Sequence, residues 1–565
     1  MPTFKLDGKD IPFEPGETII KAAYRQGIEI PHYCWHPGLS APANCRMCLV
    51  EILPKAGQRA LMLDVLEWDP DVADYRPRQK PKLQPACYTP AADGLEVLSD
   101  ASQHVVQARR AVQEFLLLNH PVDCPICDQA GECKLQDYWL EHGQFQKRRN
   151  DEPVHKPKAV DFGPTIVYDA ERCVMCTRCI RFMDEVAKDP VLEMRERGNL
   201  NEISVAPGRR LEGHYTFMTE HVCPVGALTT KDFRFKARVW FLRSVKAVCQ
   251  GCATGCNAWM DFDPRYSKVY RYRPRDNEAV NHYWMCDEGM LSYRRAHEPR
   301  VLEPMVGGRV ASSRAALQAA KQALATPAPD KVAVVYSAQH SLEDNWALRE
   351  LASQLGWSGR AYVTGLAPGY ADDILIHADK NPNTAGVKLL APAVRPLRDL
   401  AQDLAAGAVT HVIALGGEVA DAADAAALAK AQAIVTVAAH PGPLSKGAAV
   451  VIPAASWAEQ SGTYVNAKGM HQVSEKAIEP QGASRSAWLV FAELGQALGA
   501  ATTWVKLKDL RAQLAASLPP AGAAPPGGSS SGGPSSGGPS SGGPVPGGSK
   551  PPPVPSSPPK SSLTV

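Results

Sequence analysis

The chain has 565 residues, and 61 lysines and arginines nearly balance 59 acidic residues, which leaves a formal net charge of +2. This balance argues against a nucleic-acid surface, which needs an excess of basic groups. No apolar run approaches the length of roughly 18 residues that a membrane span needs, so we expect membrane association only through partners. The length predicts about three or four domains.

The first 30 residues predict a hairpin followed by a short helix. Residues 4–13 alternate apolar and polar side chains around the turn pair Asp7-Gly8, which is typical of two antiparallel strands. Thr18 through Gln26 has apolar residues at helical spacing. Gly27 stands where the end of a helix favours a left-handed residue.

The cysteines begin directly after this helix, in a loop. The first set reads C-x10-C-x2-C-x38-C and consists of Cys34, Cys45, Cys48 and Cys87. Residues 49–86 hold a proline-rich and charged insertion. Whether Cys87 closes the first set therefore stays open.

The second set includes a histidine, and its members are His120, Cys124, Cys127 and Cys133. Its cysteines alone are one ligand short of the four that an iron-sulfur cube requires. A neutral imidazole in place of a thiolate removes one negative charge, which raises the reduction potential, as in Rieske centres. We interpret the scattered histidines as ordinary residues, including His104, His214, His340, His411 and His440.

The third set contains the C-x2-C-x2-C run of bacterial ferredoxins, which supplies three ligands to an iron-sulfur cube. Its members are Cys173, Cys176, Cys179 and Cys223. The usual x3-C-P continuation is missing after Cys179, and the first later cysteine that precedes a proline is Cys223. We therefore predict Cys223 as the fourth ligand.

The fourth set reads C-x2-C-x3-C-x29-C and uses the last of the fifteen cysteines: Cys249, Cys252, Cys256 and Cys286. Disulfides are disfavoured, because the count is odd and Met1 through Asp7 lacks the features of a secretory signal, which predicts a reducing cytosol. Zinc is a stronger alternative, since structural zinc also uses C-x2-C pairs. The ferredoxin run in the third set favours iron.

The remaining chain predicts an α/β domain and a tail. Residues 331–336 and 411–415 are short apolar runs suited to buried parallel strands, and Gly416-Gly417 ends the second run. Stretches rich in alanine and leucine separate them. From about Pro519 the chain consists of Pro, Gly and Ser with a near repeat, which predicts disorder. Residues 550–555 could dock an aromatic groove as polyproline II or remain a solvated tail.

Together these motifs resemble the large iron-sulfur subunit family of bacterial NADH-quinone oxidoreductase, which is respiratory complex I. The resemblance runs from about Phe4 to Gly499. It implies that the first set holds a [2Fe–2S] cluster in a β-grasp domain and that the next two sets hold [4Fe–4S] clusters. The fourth set resembles an extra cube of some bacterial members and the opening domain of molybdopterin oxidoreductases. Residues 450–466 resemble the segment near the pterin site of that fold.

The expected fold class is therefore α+β and α/β, multidomain. We predict the following segments: 1-105, a β-grasp [2Fe–2S] ferredoxin-like domain; 106-150, a [4Fe–4S] domain with one histidine and three cysteine ligands; 151-238, a [4Fe–4S] ferredoxin-like domain; 239-300, a molybdopterin-oxidoreductase-type [4Fe–4S] domain; 301-517, a degenerate molybdopterin-oxidoreductase-like α/β domain; and 518-565, a Pro/Gly/Ser-rich disordered tail.

The resemblance implies an electron relay that moves one electron at a time, with no catalytic residues on this chain. NADH and FMN are expected on a partner subunit of the peripheral arm, and quinone on another, at the cytoplasmic side of the inner membrane. No molybdenum is expected, since no cysteine follows Cys286 and the α/β segment is short; we interpret Gly416-Gly417 and the Pro453 segment as retained fold without ligand.

Two alternatives stay open. The chain could instead be an iron-sulfur subunit of a related soluble formate dehydrogenase or NAD-linked hydrogenase complex, or the catalytic subunit of such an enzyme, which bound pterin, molybdenum or tungsten would support. It could also be a zinc-bound scaffold, which would be colourless.

Overall fold

A computed structural model of the chain describes residues 1–55, 57, 59–144 and 151–518. The predicted tail beyond Leu518 and the end of the predicted 106-150 segment lie outside the described residues. The described chain divides into two compact bodies, one made of Met1–Pro31 and Cys48–Val106 and the other of His32–Met47 and Gln107–Leu518. The predicted boundaries of the smaller segments remain predictions.

The first body is built on a mixed five-stranded sheet. Its elements are β1 (Thr3–Leu6), β2 (Lys9–Pro12), α1 (Ile19–Arg25), β3 (Leu49–Leu53), β4 (Met62–Asp69), β5 (Asp74–Pro81), β6 (Gln84–Pro85) and β7 (Glu96–Leu98). The strand order is β2-β1-β7-β3-β6, and β4 and β5 form a separate antiparallel hairpin. Strands β1 and β7 run parallel, whereas β2 and β3 run antiparallel to their neighbours.

The predicted hairpin and helix at the start of the chain are confirmed. Asp7 and Gly8 both have positive φ, 48° and 82°, as a two-residue turn between twisted strands requires. Gly27 has a φ of 71°, just beyond the end of α1. The apolar side chains of this segment are buried, so the alternation in the sequence marks one packed face.

The second body begins with three small sheets and short helices. Its first elements are α2 (Gln103–Leu117), α3 (Lys134–His142), β8 (Val160–Asp161), β9 (Ile166–Tyr168), α4 (Arg178–Glu185), β10 (Leu192–Arg195), β11 (Glu202–Val205), α5 (Met218–Val222), β12 (Leu228–Thr230), β13 (Arg243–Val248), β14 (Asn257–Asp263), β15 (Lys268–Pro274) and α6 (Asp287–Leu291). The sheets are β10-β11, β12-β9-β8 and β13-β14-β15. These sheets and helices carry the loops that hold the cysteines.

The second body continues as an α/β domain. Its remaining elements are β16 (Met305–Val306), β17 (Arg309–Val310), α7 (Ser313–Ala325), β18 (Val332–Ser337), α8 (Leu342–Gln354), β19 (Ala361–Thr364), α9 (Thr384–Leu390), β20 (Arg395–Pro396), α10 (Leu397–Ala405), β21 (His411–Leu415), α11 (Ala422–Ala427), β22 (Ala433–Ala438), α12 (Pro443–Lys446), β23 (Val450–Pro453), β24 (Gly462–Val465), β25 (His471–Ser474), α13 (Ala487–Leu498) and α14 (Leu507–Ser517). The eight-stranded sheet has the order β17-β16-β23-β22-β21-β18-β19-β20.

The two predicted buried strands are confirmed as β18 and β21. They are parallel neighbours in the eight-stranded sheet, and every residue of β18 is buried. Helices cover such strands on both faces, which explains why the sequence shows continuous apolar runs rather than alternation. Within the described residues, the helices are too short or too polar to cross a bilayer.

Candidate metal centres

Three of the four predicted ligand sets lie wholly in the second body, and each of them lines a cavity of its own. The structure describes all fifteen cysteines, and none of them forms a disulfide. The second, third and fourth sets each appear entire in the wall of one cavity. The tertiary structure therefore groups the side chains as their spacing predicts. Within the described ranges, no three His, Cys, Asp or Glu side chains are arranged to hold a single metal ion.

The second set surrounds the largest of these cavities, with a volume of about 730 Å³. His120 follows helix α2, and Cys124 opens a short 3₁₀ turn at Cys124–Ile126. Cys133 is the residue directly before α3. Nδ1 of His120 accepts a hydrogen bond of 3.1 Å from the backbone N–H of Val122, which orients the ring. Short helical elements thus fix three of the four candidate ligands.

The electrostatics of this cavity suit a neutral histidine and buried thiols. Burial lowers the pKa of His120 to about 4, so the imidazole is neutral at pH 7, as a metal ligand must be. Burial raises the pKa of Cys133 to about 11. Since iron binds the thiolate, ligation there must displace a proton. Arg172 forms a bidentate pair with Asp123 at 3.0 and 2.6 Å beside the cavity.

The third set encloses a much smaller and apolar space, of about 10 Å³. Met175 and Thr177 adopt left-handed backbone angles, with φ of 51° and 60°, which fold the C-x2-C-x2-C run back on itself. Cys223 ends helix α5. All four cysteines line this space. The donor set fits a cube, although its ligands are packed closely here.

Burial also keeps the thiols of the third set protonated. It raises the pKa of Cys173 and of Cys176 to about 11 and that of Cys223 to about 12. Neighbouring thiols of the set act in the same direction, since a second negative charge nearby disfavours the thiolate. Such closely grouped thiols become stable thiolates only when a cation neutralises them.

The fourth set lines a cavity of about 360 Å³. Cys249 follows strand β13 and Cys256 precedes β14, and the backbone N–H of Cys249 donates to the carbonyl oxygen of Cys256 at 2.9 Å. The backbone N–H of Gly251 donates to the sulfur of Cys249 at 3.4 Å. That of Gly289 donates to the sulfur of Cys286 at 3.3 Å. Such N–H···S bonds stabilise ligand thiolates and adjust cluster potentials.

Two glycines contact the thiols, although the spacing of the cysteines does not indicate either of them. A Cβ atom at Gly226 would lie 2.4 Å from the sulfur of Cys127. A Cβ atom at Gly289 would lie 3.0 Å from the sulfur of Cys249 and 3.2 Å from that of Cys286. Because glycine has no Cβ atom, the cysteine sulfur atoms can occupy this space. No spacing rule identifies Gly226, because it meets Cys127 across the fold.

The first set is divided between the two bodies. Cys48 and Cys87 belong to the first body, where the backbone N–H of Ala86 donates to the carbonyl oxygen of Cys48 at 3.0 Å. Cys34 and Cys45 belong to the second body. Cys34, Cys48 and Cys87 are buried and Cys45 is half-buried. The [2Fe–2S] set therefore remains a prediction from spacing and resemblance.

The Gly416-Gly417 pair of the α/β domain lies beside a carboxylate of the chain itself. Gly416 follows β21 with a φ of 86°, at the carboxyl end of the parallel strands, where α/β sheets bind ligands. The carboxylate of Glu418 accepts a hydrogen bond of 3.0 Å from the backbone N–H of Gly417. This N–H group is thus already satisfied within the chain.

Five family models match the chain in order. They are the 2Fe-2S iron-sulfur cluster binding domain at 1–69, the NADH-ubiquinone oxidoreductase-G iron-sulfur binding region at 109–148, the ferredoxin-like domain of NADH-quinone oxidoreductase subunit 3 at 163–229, the molybdopterin oxidoreductase Fe4S4 domain at 242–298 and the molybdopterin oxidoreductase family at 385–497. The predicted succession of ferredoxin-like and molybdopterin-oxidoreductase-like modules is confirmed.

Curated relatives extend this match. The G subunit of NADH-quinone oxidoreductase from Streptomyces coelicolor is 34% identical over 62% of this chain and 39% of its own length. Subunit 3 of the same enzyme from Thermus thermophilus is 32% identical over 66% of this chain and 50% of its own length. The chain is related to the large iron-sulfur subunits of NADH-quinone oxidoreductase. The predicted resemblance is thus confirmed, and the chain spans half or less of the length of these two relatives.

A mitochondrial relative and a solved structure are also similar to parts of the chain. The iron-sulfur protein 1 of NADH dehydrogenase [ubiquinone] from Solanum tuberosum is 33% identical over 62% of this chain and 44% of its own length. A chain of an NAD⁺-reducing [NiFe]-hydrogenase is 28% identical and covers 42% of this chain and 91% of its own length, with a TM-score of 0.34. The family models establish that [2Fe–2S] and [4Fe–4S] domains are present.

Proposed function

We propose that the chain is the iron-sulfur electron-relay subunit of an NADH-quinone oxidoreductase. It would carry one [2Fe–2S] cluster on the first set and one [4Fe–4S] cluster on each of the other three sets. The clusters, when bound, would accept and pass on single electrons. The chain itself makes or breaks no bond of a substrate and has no substrate site of its own.

The observation that carries the proposal is the contact between the second and third ligand sets. The loop that contains Cys223 also contains Pro224 and Gly226. Its Pro224 carbonyl accepts a hydrogen bond of 3.0 Å from the backbone N–H of Lys134, the residue after Cys133. Gly226 of the same loop packs against the sulfur of Cys127. Two neighbouring redox centres held by one loop are what an electron relay needs.

The residues around the sets supply burial and charge control. The cysteines of the third and fourth sets lie mostly below the protein surface, which excludes water and strengthens every electrostatic effect on the reduction potential. His120 brings no negative charge, unlike the cysteine it replaces, so the second set favours the reduced state more than an all-cysteine set would. The N–H groups of Gly251 and Gly289 donate to sulfur at the fourth set, and they act in the same direction.

Partners and location follow from the family. The names of the relatives describe subunits of NADH-quinone oxidoreductase, so we propose that the chain assembles with the NADH/FMN-binding subunit and other subunits of the peripheral arm. Through these partners it would lie at the cytoplasmic side of the inner membrane. No molybdenum is proposed for the α/β domain.

The first experiment counts metals in the anaerobically purified full chain. Iron and acid-labile sulfide are measured together with zinc, molybdenum and tungsten. The proposal predicts about 14 iron atoms per chain with equal sulfide. Serine variants of Cys124, Cys176 and Cys252, one in each cube set, should each lower the count by about four atoms.

Each other outcome contradicts a stated part of the proposal. Stoichiometric molybdenum or tungsten would favour the catalytic subunit of a formate dehydrogenase. Zinc in place of iron would exclude a relay. If substitution of Cys45 lowers the count to about 12 with loss of only the [2Fe–2S] signal, and substitution of Cys87 does not, Cys87 does not belong to the first set.

A further inference from the structure

Arg271, a buried arginine of strand β15, links the loop of the second ligand set to the three-stranded sheet. Its side chain is only 8% exposed. Nη1 and Nη2 donate to the two carboxylate oxygens of Glu132 at 2.9 and 2.6 Å, and Nε donates to Asp261 at 2.8 Å. A bidentate arginine–carboxylate pair of this kind fixes position as well as charge.

Glu132 directly precedes Cys133, so the pair holds the backbone next to a candidate ligand. The guanidinium of Arg271 also lies 4.1 Å from the ring centre of Phe233, which packs against it. The Arg271 side chain therefore contacts three parts of the fold. These are a loop of the second set, the segment after Cys223, and the sheet whose β13–β14 connection carries three ligands of the fourth set.

The positive charge of Arg271 is held in place by its two carboxylate partners. Asp261 and Glu132 raise the pKa of Arg271 against the effect of its burial. Arg271 is therefore a permanent positive charge in a low-dielectric region close to the second set.

We propose that Arg271 is a positioning residue for the second ligand set and that it raises the reduction potential of the cluster bound there. The bidentate pair holds the Glu132–Cys133 segment, and the buried cation stabilises the extra electron of the reduced state. This inference rests on the proposed function, because it requires a redox cluster on His120, Cys124, Cys127 and Cys133.

Arg273 offers a matched control on the same strand. It donates to the same carboxylate, Asp261, at 2.6 and 3.0 Å, and its side chain is 31% exposed. Its ion pair is with Asp261 and not with Glu132. Arg273→Gln therefore removes a neighbouring arginine and an Asp261 contact while the link between Arg271 and Glu132 remains.

The test is a redox titration of the full chain, followed by electron paramagnetic resonance. The signal of the second set is identified by its loss in Cys124→Ser. Arg271→Gln should shift this signal to lower potential, and Arg273→Gln should shift it less. Glu132→Gln removes a negative charge from the same pair, so it should shift the signal to higher potential. If the pair acted only through local packing, Arg271→Gln and Glu132→Gln would shift the potential of the signal in the same direction.

A conservative variant covers the case in which Arg271→Gln fails to assemble the cluster. Arg271→Lys keeps the charge but loses the bidentate geometry. It should retain the second-set signal at a potential close to that of wild type, with broadened lines if Cys133 is displaced. Equal potentials in wild type, Glu132→Gln and each Arg271 variant that assembles the cluster would overturn the inference. A wild-type chain without the second-set signal would instead overturn the proposed function.

Discussion

Gly226 and the sulfur of Cys127 are in direct contact, although 99 positions separate them in the chain. A Cβ atom at position 226 would lie 2.4 Å from that sulfur and 2.9 Å from the Cβ of Gln129. Real Cβ atoms do not approach so closely, so a side chain here must displace Cys127 or its loop. The contact ties the geometry of the second ligand set to the loop that carries Cys223.

We expect Gly226→Ala to impair the second cluster selectively. The added methyl group would push the sulfur of Cys127 away from its position and lower iron content by up to about four atoms per chain. Gly359→Ala is the control, since no heavy atom lies within 4 Å of a Cβ at position 359. Unchanged iron content and an unchanged second-set signal in Gly226→Ala would show that the loop can accommodate the methyl group without loss of the second cluster.

His120→Cys should retain a cluster at lower potential. The substitution adds a thiolate and therefore one negative charge, which disfavours the reduced state. A redox titration of the second-set signal measures the shift. His155→Ala serves as the control, because His155 lines the same cavity but its side chain is 81% exposed and pairs with Glu171. If His120→Cys leaves the potential unchanged, His120 is not a ligand.

Asp261→Asn should destabilise the fold in a pH-dependent manner. Asp261 is buried and accepts hydrogen bonds from Arg271 and Arg273, and these arginines hold its pKa far below the usual range despite its burial. Removing one partner of such a buried pair costs about 3 to 5 kcal/mol. Thermal unfolding at pH 7 should show this loss, whereas exposed Asp373→Asn should not.

The sign of the pH effect follows from the lowered pKa. Between the folded and unfolded pKa values of Asp261 the unfolded chain binds more protons, so stability rises with pH. The stabilising contribution is complete above the unfolded value of about 3.9 and is lost as the pH falls below it. The stability difference between wild type and Asp261→Asn should therefore shrink below about pH 4. A difference that is constant with pH would contradict an ionised Asp261.

Arg511→Met should weaken the α/β domain and leave the cluster ligands intact. Arg511 on helix α14 donates to the fully buried Glu343 of α8 at 2.7 Å. Glu343 would keep the backbone N–H and hydroxyl of Thr463 at 2.7 and 2.8 Å, so we expect a loss of about 2 kcal/mol. Exposed Arg314→Met on α7 is the control. A fall in iron content with Arg511→Met would show that the domain supports the clusters.

The sequence by itself predicted the ligand sets and determined the local elements. Cysteine spacing selects the members of each cube set because neighbouring ligands lie on one short loop. The turn at Asp7-Gly8, the end of α1 at Gly27 and the buried strands β18 and β21 depend on residues a few positions apart. Such local rules predict where an element begins and ends.

Only the tertiary structure decided how these parts meet. The contact of Gly226 with Cys127 and the pair of Arg271 with Glu132, 139 positions apart, join segments that are distant in the chain. Composition and periodicity carry no information on such contacts, because they arise when separate elements pack and exclude water from their shared surface.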